Sequence, residues 1–383
     1  MIFLSFFALP LLLFIGGYIW FGRKISLQEL ALQIVIQALF VGTICAIIYH
    51  KNTYDEETWN GRVASKSRDI VSCSHAYPCN CRMESCGKDC TTLHCDTCYM
   101  HSYDVVWIVR TSNNEGVEIS RIDLQGLGEP PRWAAVKIGE PTSISHSYEN
   151  YIKASPDTLF RSQGDTKESM PGYPNGYYDY YRLDHLVQFG VSVPDAADWN
   201  RELAELNADL GKSKQVNIII ALVGGKERRW FKTLERHWIG GKKNDAVLVI
   251  GVDKDGTISW AETMAWTDHA YFKVKLRDDI REIGKLDRTA ILAAIRSDVS
   301  GHFKHKSMDD FKYLMASITP TTTEYVVGLV LSIIISVLLI WWCEEKDVFG
   351  DEDEEFNWFQ RLCGKGKSKK EMEDEKWEHW GRL

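Results

Sequence analysis

The sequence predicts a mixed α/β fold, in which a three-layer α/β domain is combined with a small β-rich, cysteine-containing module and three transmembrane helices. Two short β-branched apolar runs, at 216–223 and 246–252, are typical of strands covered by helices on both faces. Most of the ten cysteines cluster in one short segment. Three uncharged apolar runs are also close to the roughly 20 residues that cross a bilayer.

The central part of the α/β domain has the order β-α-β-β. Residues 216–223 form the first predicted strand, and 229–238 carry aromatic and apolar side chains at helical spacing. The second strand is predicted at 246–252 and the third at 257–263. The Asp-Lys-Asp-Gly sequence at 253–256 favours a tight hairpin turn between them.

The flanking segments complete the three predicted layers. An edge strand is predicted at 186–191, followed by a helix at 195–210 with apolar side chains every three or four residues. Two further helices are predicted at 272–283 and 288–299. Helices on both faces of a short mixed sheet give a three-layer α/β domain.

The order of several short motifs resembles that of the TPM-domain family, found in bacterial membrane-anchored proteins and in lumenal proteins of photosystem repair. The resemblance covers roughly residues 186–314 and lies in the ordering of the segments more than in any single motif. The motifs are Trp238-Ile239-Gly240, Asn244-Asp245, Asp253-Lys254-Asp255-Gly256, Thr267-Asp268, Gly301-His302-Phe303-Lys304 and Asp309-Asp310-Phe311.

The resemblance implies an acidic cation site in this domain, because family members that bind a cation use acidic residues around such loops. Asp245 and Asp268 are the matching carboxylates here, and calcium is the cation that carboxylate oxygens would suit. Some members are described as weak phosphatases. Asp268 is equally well explained as a helix N-cap.

The three apolar runs are residues 2–21, 30–49 and 325–343. A cleaved signal peptide is the alternative for the first run, but no basic residue precedes it and no small-residue cleavage site follows it. The second run carries Gln33 and Gln37, which we expect to contact another helix. The third run ends in Trp341-Trp342, a pair suited to the membrane interface.

Basic residues near the spans predict the orientation. Arg23-Lys24 lie in the short loop between the first two runs, so this loop is predicted to be cytoplasmic. The segment between the second and third runs is then periplasmic or otherwise extracytoplasmic. The tail at 344–383, with its acidic block and lysine cluster, is predicted to be cytoplasmic and to contact partners.

The cysteine cluster allows two interpretations. In an oxidising compartment it predicts disulfides, and an odd number of cysteines leaves one thiol over. Alternatively, Cys95-x-x-Cys98 could hold zinc with two more ligands from Cys79, Cys81, Cys86, Cys90 or the interspersed histidines. Either role is structural. The cluster comprises Cys73, Cys79, Cys81, Cys86, Cys90, Cys95 and Cys98, with His75, His94 and His101 between or beside them.

A small antiparallel β module is predicted after the cysteines, with strands at 104–110, 117–124 and 134–138. The loop at 162–181, rich in Tyr, Gly and Pro, follows it. The whole chain divides as transmembrane helices at 1–22, 27–50 and 324–343, a Cys-rich segment at 51–102, the β module at 103–185, the TPM-like domain at 186–318 and the tail at 344–383.

Two functions are consistent with these features. The first is an integral membrane protein that presents its extracytoplasmic domain for binding or assembly of other envelope proteins, without catalysis. The second is a metal-dependent, phosphatase-like hydrolase built on Asp245 and Asp268. The first is favoured, because the sequence lacks a nucleophile-and-base motif or a phosphate-binding loop. The predicted partners are the bilayer and envelope proteins, with a homo-oligomer left open, and the net charge of −8 gives no reason to expect nucleic acid.

Overall fold

The computed structural model describes residues 2–21, 26–87, 90–156, 158, 160 and 169–346. The chain forms two compact units, one made of Met1–Asn52 with Ile318–Leu383 and the other of Thr53–Ser317. The predicted tail beyond residue 346 lies outside the described residues.

Helices and strands are numbered in chain order. The helices are α1 Ile2–Phe21, α2 Leu27–Thr53, α3 Pro131–Ala135, α4 Tyr151–Ala154, α5 Ala196–Lys214, α6 Trp230–His237, α7 Ala270–Ile283, α8 Arg288–His302 and α9 Thr322–Lys346, with a 3₁₀ segment at Met308–Ser317. The strands are β1 Tyr54–Val71, β2 Ala76–Gly87, β3 Cys90–Tyr99, β4 Asp104–Thr111, β5 Gly116–Ile119, β6 Pro141–Glu149, β7 Leu186–Phe189, β8 Asn217–Gly224, β9 Asp245–Val252 and β10 Ile258–Ala265.

Two helices of the first unit, α2 and α9, are long and apolar enough to cross a membrane. They run antiparallel, because Lys51 near the end of α2 pairs with Glu324 at the start of α9 at 2.8 Å. The second and third predicted spans are therefore confirmed as apolar helices of membrane-crossing length.

The structure supports two candidate spans and not the three predicted. The first apolar run does form a helix, α1, which packs on α9 through Phe6 and Tyr325, whose ring centroids are 5.2 Å apart. Among the described side chains, its apolar stretch covers Phe6–Trp20, which is shorter than the candidate spans in α2 and α9.

The interior of the helical unit contains buried polar side chains. Gln33 and Gln37 of α2 are each 1% exposed, and Ser332 and Ser336 of α9 are fully buried. Gln33 lies beside Cys343 of α9. The expectation that these glutamines face another helix therefore holds for Gln33, since polar side chains in a membrane bundle turn away from lipid.

The second unit begins with a four-stranded antiparallel sheet in the order β5-β4-β1-β6. The first half of β1, Tyr54–Arg62, pairs with β6. After an irregularity near Val63, the second half of β1 pairs with β4. The core of this sheet comprises Val63, Val105, Trp107, Val109, Ile119, Val136, Ile144 and Tyr181.

Three details of this module differ from the sequence prediction. The strands β1 and β6 were not predicted, and β1 takes residues assigned to the Cys-rich segment. The predicted strand at 134–138 is wrong, since α3 occupies Pro131–Ala135 with Pro131 at the start, where proline favours a helix. The predicted strand at 117–124 is β5, which ends earlier, at Ile119.

The strands β2 and β3 pair with each other as a separate two-stranded hairpin. None of its side chains that the structure describes between Ala76 and Tyr99 is buried. The described part of the hairpin therefore has no hydrophobic core of its own.

The α/β part confirms the predicted β-α-β-β order. Its sheet has the order β10-β9-β8-β7, in which β7, β8 and β9 are parallel and β10 is antiparallel. The helices α5, α7 and α8 pack on one face, and α6 packs on the other around Trp230, Phe231 and Leu234. This is the predicted three-layer arrangement, and β7 is the predicted edge strand.

Buried polar contacts join the two sheets into one unit. Helix α5 comes so close to β1 that a Cβ on Gly211 would lie 2.6 Å from Asn60. Asn60 in turn donates to Asn217 at the start of β8, at 2.8 Å. Two lysines that precede β9 pair with buried carboxylates of β1, Lys242 with Asp55 and Lys243 with Glu57 at 3.0 Å.

Candidate metal centre

A cluster of four potential metal ligands lies at the base of the β2–β3 hairpin. Cys73 and His75 lie in the short segment between β1 and β2, while His101 lies between β3 and β4 and Asp104 begins β4. Because the hairpin folds back on itself, its two ends meet. The antiparallel pairing of β1 with β4, which places Val71 opposite Asp104, holds the same ends together.

The ligand atoms of this cluster are close together. The Cys73 Sγ lies 3.6 Å from His101 Nδ1 and 3.9 Å from His75 Nδ1. The Asp104 carboxylate oxygens lie 3.2 Å from each histidine Nδ1. All four ligand atoms lie within 4.8 Å of one another, and in the described part of the chain no second group of this kind is found.

With one Asp104 oxygen as the ligand, three of the six separations, two sulfur–nitrogen and one nitrogen–oxygen, are close to the edges of a tetrahedral zinc site. Bond lengths of about 2.3 Å to sulfur and about 2.0–2.1 Å to nitrogen or oxygen place neighbouring ligand atoms about 3.3–3.6 Å apart. The sulfur–nitrogen and nitrogen–oxygen distances in the cluster are close to this range. One thiolate, two imidazoles and one carboxylate are also a donor set that suits zinc.

Asp104 is fully buried and is oriented by contacts beyond the cluster. Its Oδ2 accepts hydrogen bonds from the backbone N–H of Ser74 and from Arg121 Nη1, both at 3.0 Å. The hydrogen bond from the Ser74 N–H, supported by Arg121, holds the pKa of this carboxyl well below its usual range. Its other oxygen, Oδ1, lies 3.2 Å from His101 Nδ1 and is the oxygen left for a cation.

Disulfides occupy four of the cysteines that the sequence offered as zinc ligands. Cys79 is bonded to Cys98 and Cys81 to Cys95, so these cysteines are not available to a metal. The side chains of Cys86 and Cys90 lie outside the described residues. Cys73 is free, as expected for one member of an odd set.

The sequence singled out three of the four cluster residues but did not group them, and it missed Asp104. The available signal was the pair of short spacings Cys73-x-His75 and His101-x-x-Asp104, which flank the cysteine segment on both sides. It was hard to use because the hairpin between the two pairs had not been predicted.

Asp245, the first predicted cation ligand, is enclosed at the start of β9. It is fully buried and accepts hydrogen bonds from Tyr173 Oη, Asn217 Nδ2 and the backbone N–H of Lys242, at 2.7–3.1 Å. Burial raises its pKa to about 6. Its oxygens are therefore already engaged within the protein.

Asp268, the second predicted ligand, lies in different surroundings. Its carboxylate pairs with Lys304 at 2.9 Å and with Lys306 at 3.4 Å. Hydrogen bonding from Lys304 holds its pKa below the usual value. The N-cap of α7 is His269, so the alternative role of Asp268 as that cap is wrong. The partners given above for Asp245 and for Asp268 are different residues, so these contacts do not bring the two aspartates together.

Comparison with known protein families, with curated proteins and with solved structures finds no match to this chain.

Proposed function

We propose that the protein is a membrane-anchored binding or assembly protein, whose folded domain lies outside the cytoplasm and holds zinc at the base of a disulfide-stapled hairpin. The observation that carries this proposal is the cluster of Cys73, His75, His101 and Asp104, whose ligand atoms all lie within 4.8 Å of one another. The resemblance to the TPM-domain family, which includes bacterial membrane-anchored proteins, supports the same role.

The zinc is structural in this proposal. Four protein ligands complete a tetrahedral shell and leave no open position for a substrate. The metal fixes the two ends of the hairpin and so sets the direction in which it projects from the antiparallel sheet. The predicted hydrolase gains no support by comparison, because Asp245 is enclosed and Asp268 is paired with two lysines.

The extracytoplasmic location rests on two independent features. The two disulfides of the hairpin are stable in an oxidising compartment and are rare in the cytosol. Arg23-Lys24 precede α2 and so favour a cytoplasmic position for its first turn. A segment between the antiparallel helices α2 and α9 would then lie outside.

The hairpin offers a surface for a partner protein. A soluble two-stranded hairpin usually has polar side chains on its open faces, but this one exposes several large apolar ones. Met83 and Leu93 are 67% and 64% exposed, and Tyr77 and Tyr99 are also exposed. We infer that another envelope protein contacts these side chains.

Metal content tests the proposal. Full-length protein, purified in detergent without chelators, is expected to contain about one zinc per chain by elemental analysis. Cobalt substitution should give a thiolate-to-cobalt charge-transfer band. Cys73→Ser and His101→Ala should lose both signals, whereas the matched variants Cys45→Ser and His94→Ala should keep them. Zinc retained in Cys73→Ser and His101→Ala, or no binding of either metal by the wild type, would refute the site.

Partner binding has a separate test. A photo-crosslinking amino acid at position 93 should form an adduct with another membrane or envelope protein in cells, while one at the equally exposed Tyr313 of the 3₁₀ segment should not. The adduct at position 93 should weaken in the Cys73→Ser background, because the hairpin is no longer fixed. Equal labelling at both positions would refute the hairpin as the binding surface.

A further inference from the structure

A second candidate site lies away from the metal cluster, where the two sheets of the folded unit meet. A cavity of about 330 Å³ opens between β1, the end of α5 and the segment before β9. A larger cavity of about 830 Å³ lies beside α5. Size alone does not decide between them, since both fall within the range of ligand pockets.

The smaller cavity is distinguished by two buried acceptors that have no hydrogen-bond partner. They are the Oε2 of Glu57 and the Oδ1 of Asn244, and both residues are 3% exposed. Both residues line the smaller cavity, and none of the unpartnered side chains in the described residues lines the larger one. Buried acceptors of this kind are costly unless a donor reaches them.

The rest of each side chain is held in place. Glu57 uses its other oxygen, Oε1, to accept from Trp59 Nε1 at 2.8 Å and to pair with Lys243 at 3.0 Å. Asn244 donates through Nδ2 to the backbone carbonyl of Thr58 at 2.7 Å. The two buried, unpartnered acceptors therefore have fixed positions on neighbouring segments.

The charges around the cavity favour an uncharged ligand. Lys243 already neutralises Glu57, and Lys212 adds a positive charge at the rim. His305 also lines the cavity, and burial lowers its pKa, so the ring is neutral near pH 7. A cationic ligand would be repelled by these lysines, and an anionic ligand would be repelled by the carboxylate of Glu57.

We propose that this cavity binds a small neutral polyhydroxy compound, a monosaccharide or a sugar residue at the end of a glycan, through hydroxyl groups that donate to Glu57 and Asn244. Two hydroxyls supply the two missing donors without adding charge. The volume is at the lower end for ligand pockets and suits a single sugar ring with some water. This site is independent of zinc and of the hairpin.

Saturation-transfer NMR on the full-length protein tests the proposal. The protein is held in an amine-oxide detergent, because a sugar-based detergent would compete. D-glucose, D-galactose, D-mannose and N-acetyl-D-glucosamine are titrated one by one, with ethanolamine as the cationic comparison. At least one sugar should give a saturable signal, and ethanolamine should give none.

Variants locate the binding. Lys212→Trp places a large ring at the mouth of the cavity and should weaken sugar binding about tenfold or more. Lys214→Trp, in the same last turn of α5 but outside the lining, should leave it unchanged. Glu57→Gln replaces the open acceptor with a donor and should abolish binding.

Three results would overturn the proposal. No saturable signal from any of the four sugars would exclude the ligand class. Binding of ethanolamine without sugars would reassign the cavity to cations. Sugar binding that Lys212→Trp leaves intact would move the site elsewhere, and this variant is informative even if Glu57→Gln fails to fold, because Lys212 is exposed.

Discussion

The α/β sheet and the β2–β3 hairpin of this protein are stabilised in opposite ways. Every residue of β9 and all but the last of β8 are buried between two layers of helices. In the hairpin no described side chain between Ala76 and Tyr99 is buried, and two disulfides connect its strands. The comparison shows that disulfides stabilise a segment that is too thin to form a hydrophobic core.

The difference also separates two kinds of role. A strand buried on both faces has no side chain left for a partner, so β8 and β9 serve as a scaffold. The hairpin has both faces open and can present apolar side chains, provided that its ends are fixed. The four candidate metal ligands lie at those ends.

The largest expected effect is on the core. Leu248→Ala in β9 should lower the free energy of unfolding of the folded unit by about 2–5 kcal/mol, because it leaves a cavity between packed layers. Leu93→Ala in the hairpin should change it by less than about 0.5 kcal/mol. Denaturant titration of the two variants measures both values. Similar losses of unfolding free energy in both variants would show that the sheet and the hairpin are not stabilised in opposite ways.

Removing a cross-link should act on the hairpin alone. The pair Cys81→Ser and Cys95→Ser opens a disulfide with a sequence separation of 14 residues, which is expected to contribute about 3 kcal/mol to local stability. Hydrogen exchange of the β2 and β3 amides should then be roughly a hundredfold faster. The amides of β8 and β9 should be unchanged, and faster exchange there would show that the two regions unfold together.

The pH dependence should reveal the buried acid of the α/β part. Burial raises the pKa of Asp245 to about 6, above the ~3.9 of an unfolded aspartate. The native state therefore binds more protons between about pH 4 and 6. The contribution of this residue to stability falls as the pH rises through that window, by at most about 3 kcal/mol.

The measurement is the free energy of unfolding of the wild type and of Asp245→Asn from pH 4 to 7. The asparagine does not titrate, so the advantage of the wild type over the variant should shrink across the window. An advantage that grows with pH would mean that Asp245 is stabilised in its ionised form.

The smallest expected effect concerns a helix cap at the edge of the α/β part. The Asp287 side chain accepts from the Ala290 N–H at the start of α8, at 2.9 Å. Asp287→Ala should cost about 1 kcal/mol. His269→Ala is the matched control, because the N-cap of α7 makes no side-chain cap hydrogen bond and its loss should cost little. Equal effects in thermal unfolding would show that the core, not the cap, fixes where α8 begins.

The accuracy of the sequence prediction follows the same division. The strands β8 and β9 and the helices around them were predicted because their apolar side chains are contiguous or periodic in the sequence. The strand β1 was missed because its sequence is polar, with Asp55 and Glu57 among its buried residues. Lys242 and Lys243, far along the chain, pair with those carboxylates and help to stabilise them there.

The residues of the candidate site could not be predicted from sequence patterns. Disulfides and zinc were both consistent with the cysteine spacing, since spacing does not determine which sulfur atoms meet. The structure pairs four of these cysteines and leaves Cys73 with two histidines and an aspartate that had not been considered. The pairing depends on the register of β2 on β3, which no periodic pattern encodes.

The sequence by itself determined the apolar helices α2 and α9, the α/β layers and the presence of a cross-linked segment, because composition and period are local properties of the chain. Only the tertiary structure decided that Asp104 joins Cys73, and that Glu57 and Asn244 line one cavity. These groups are distant along the chain, and they meet because strand pairing and buried ion pairs bring their segments together.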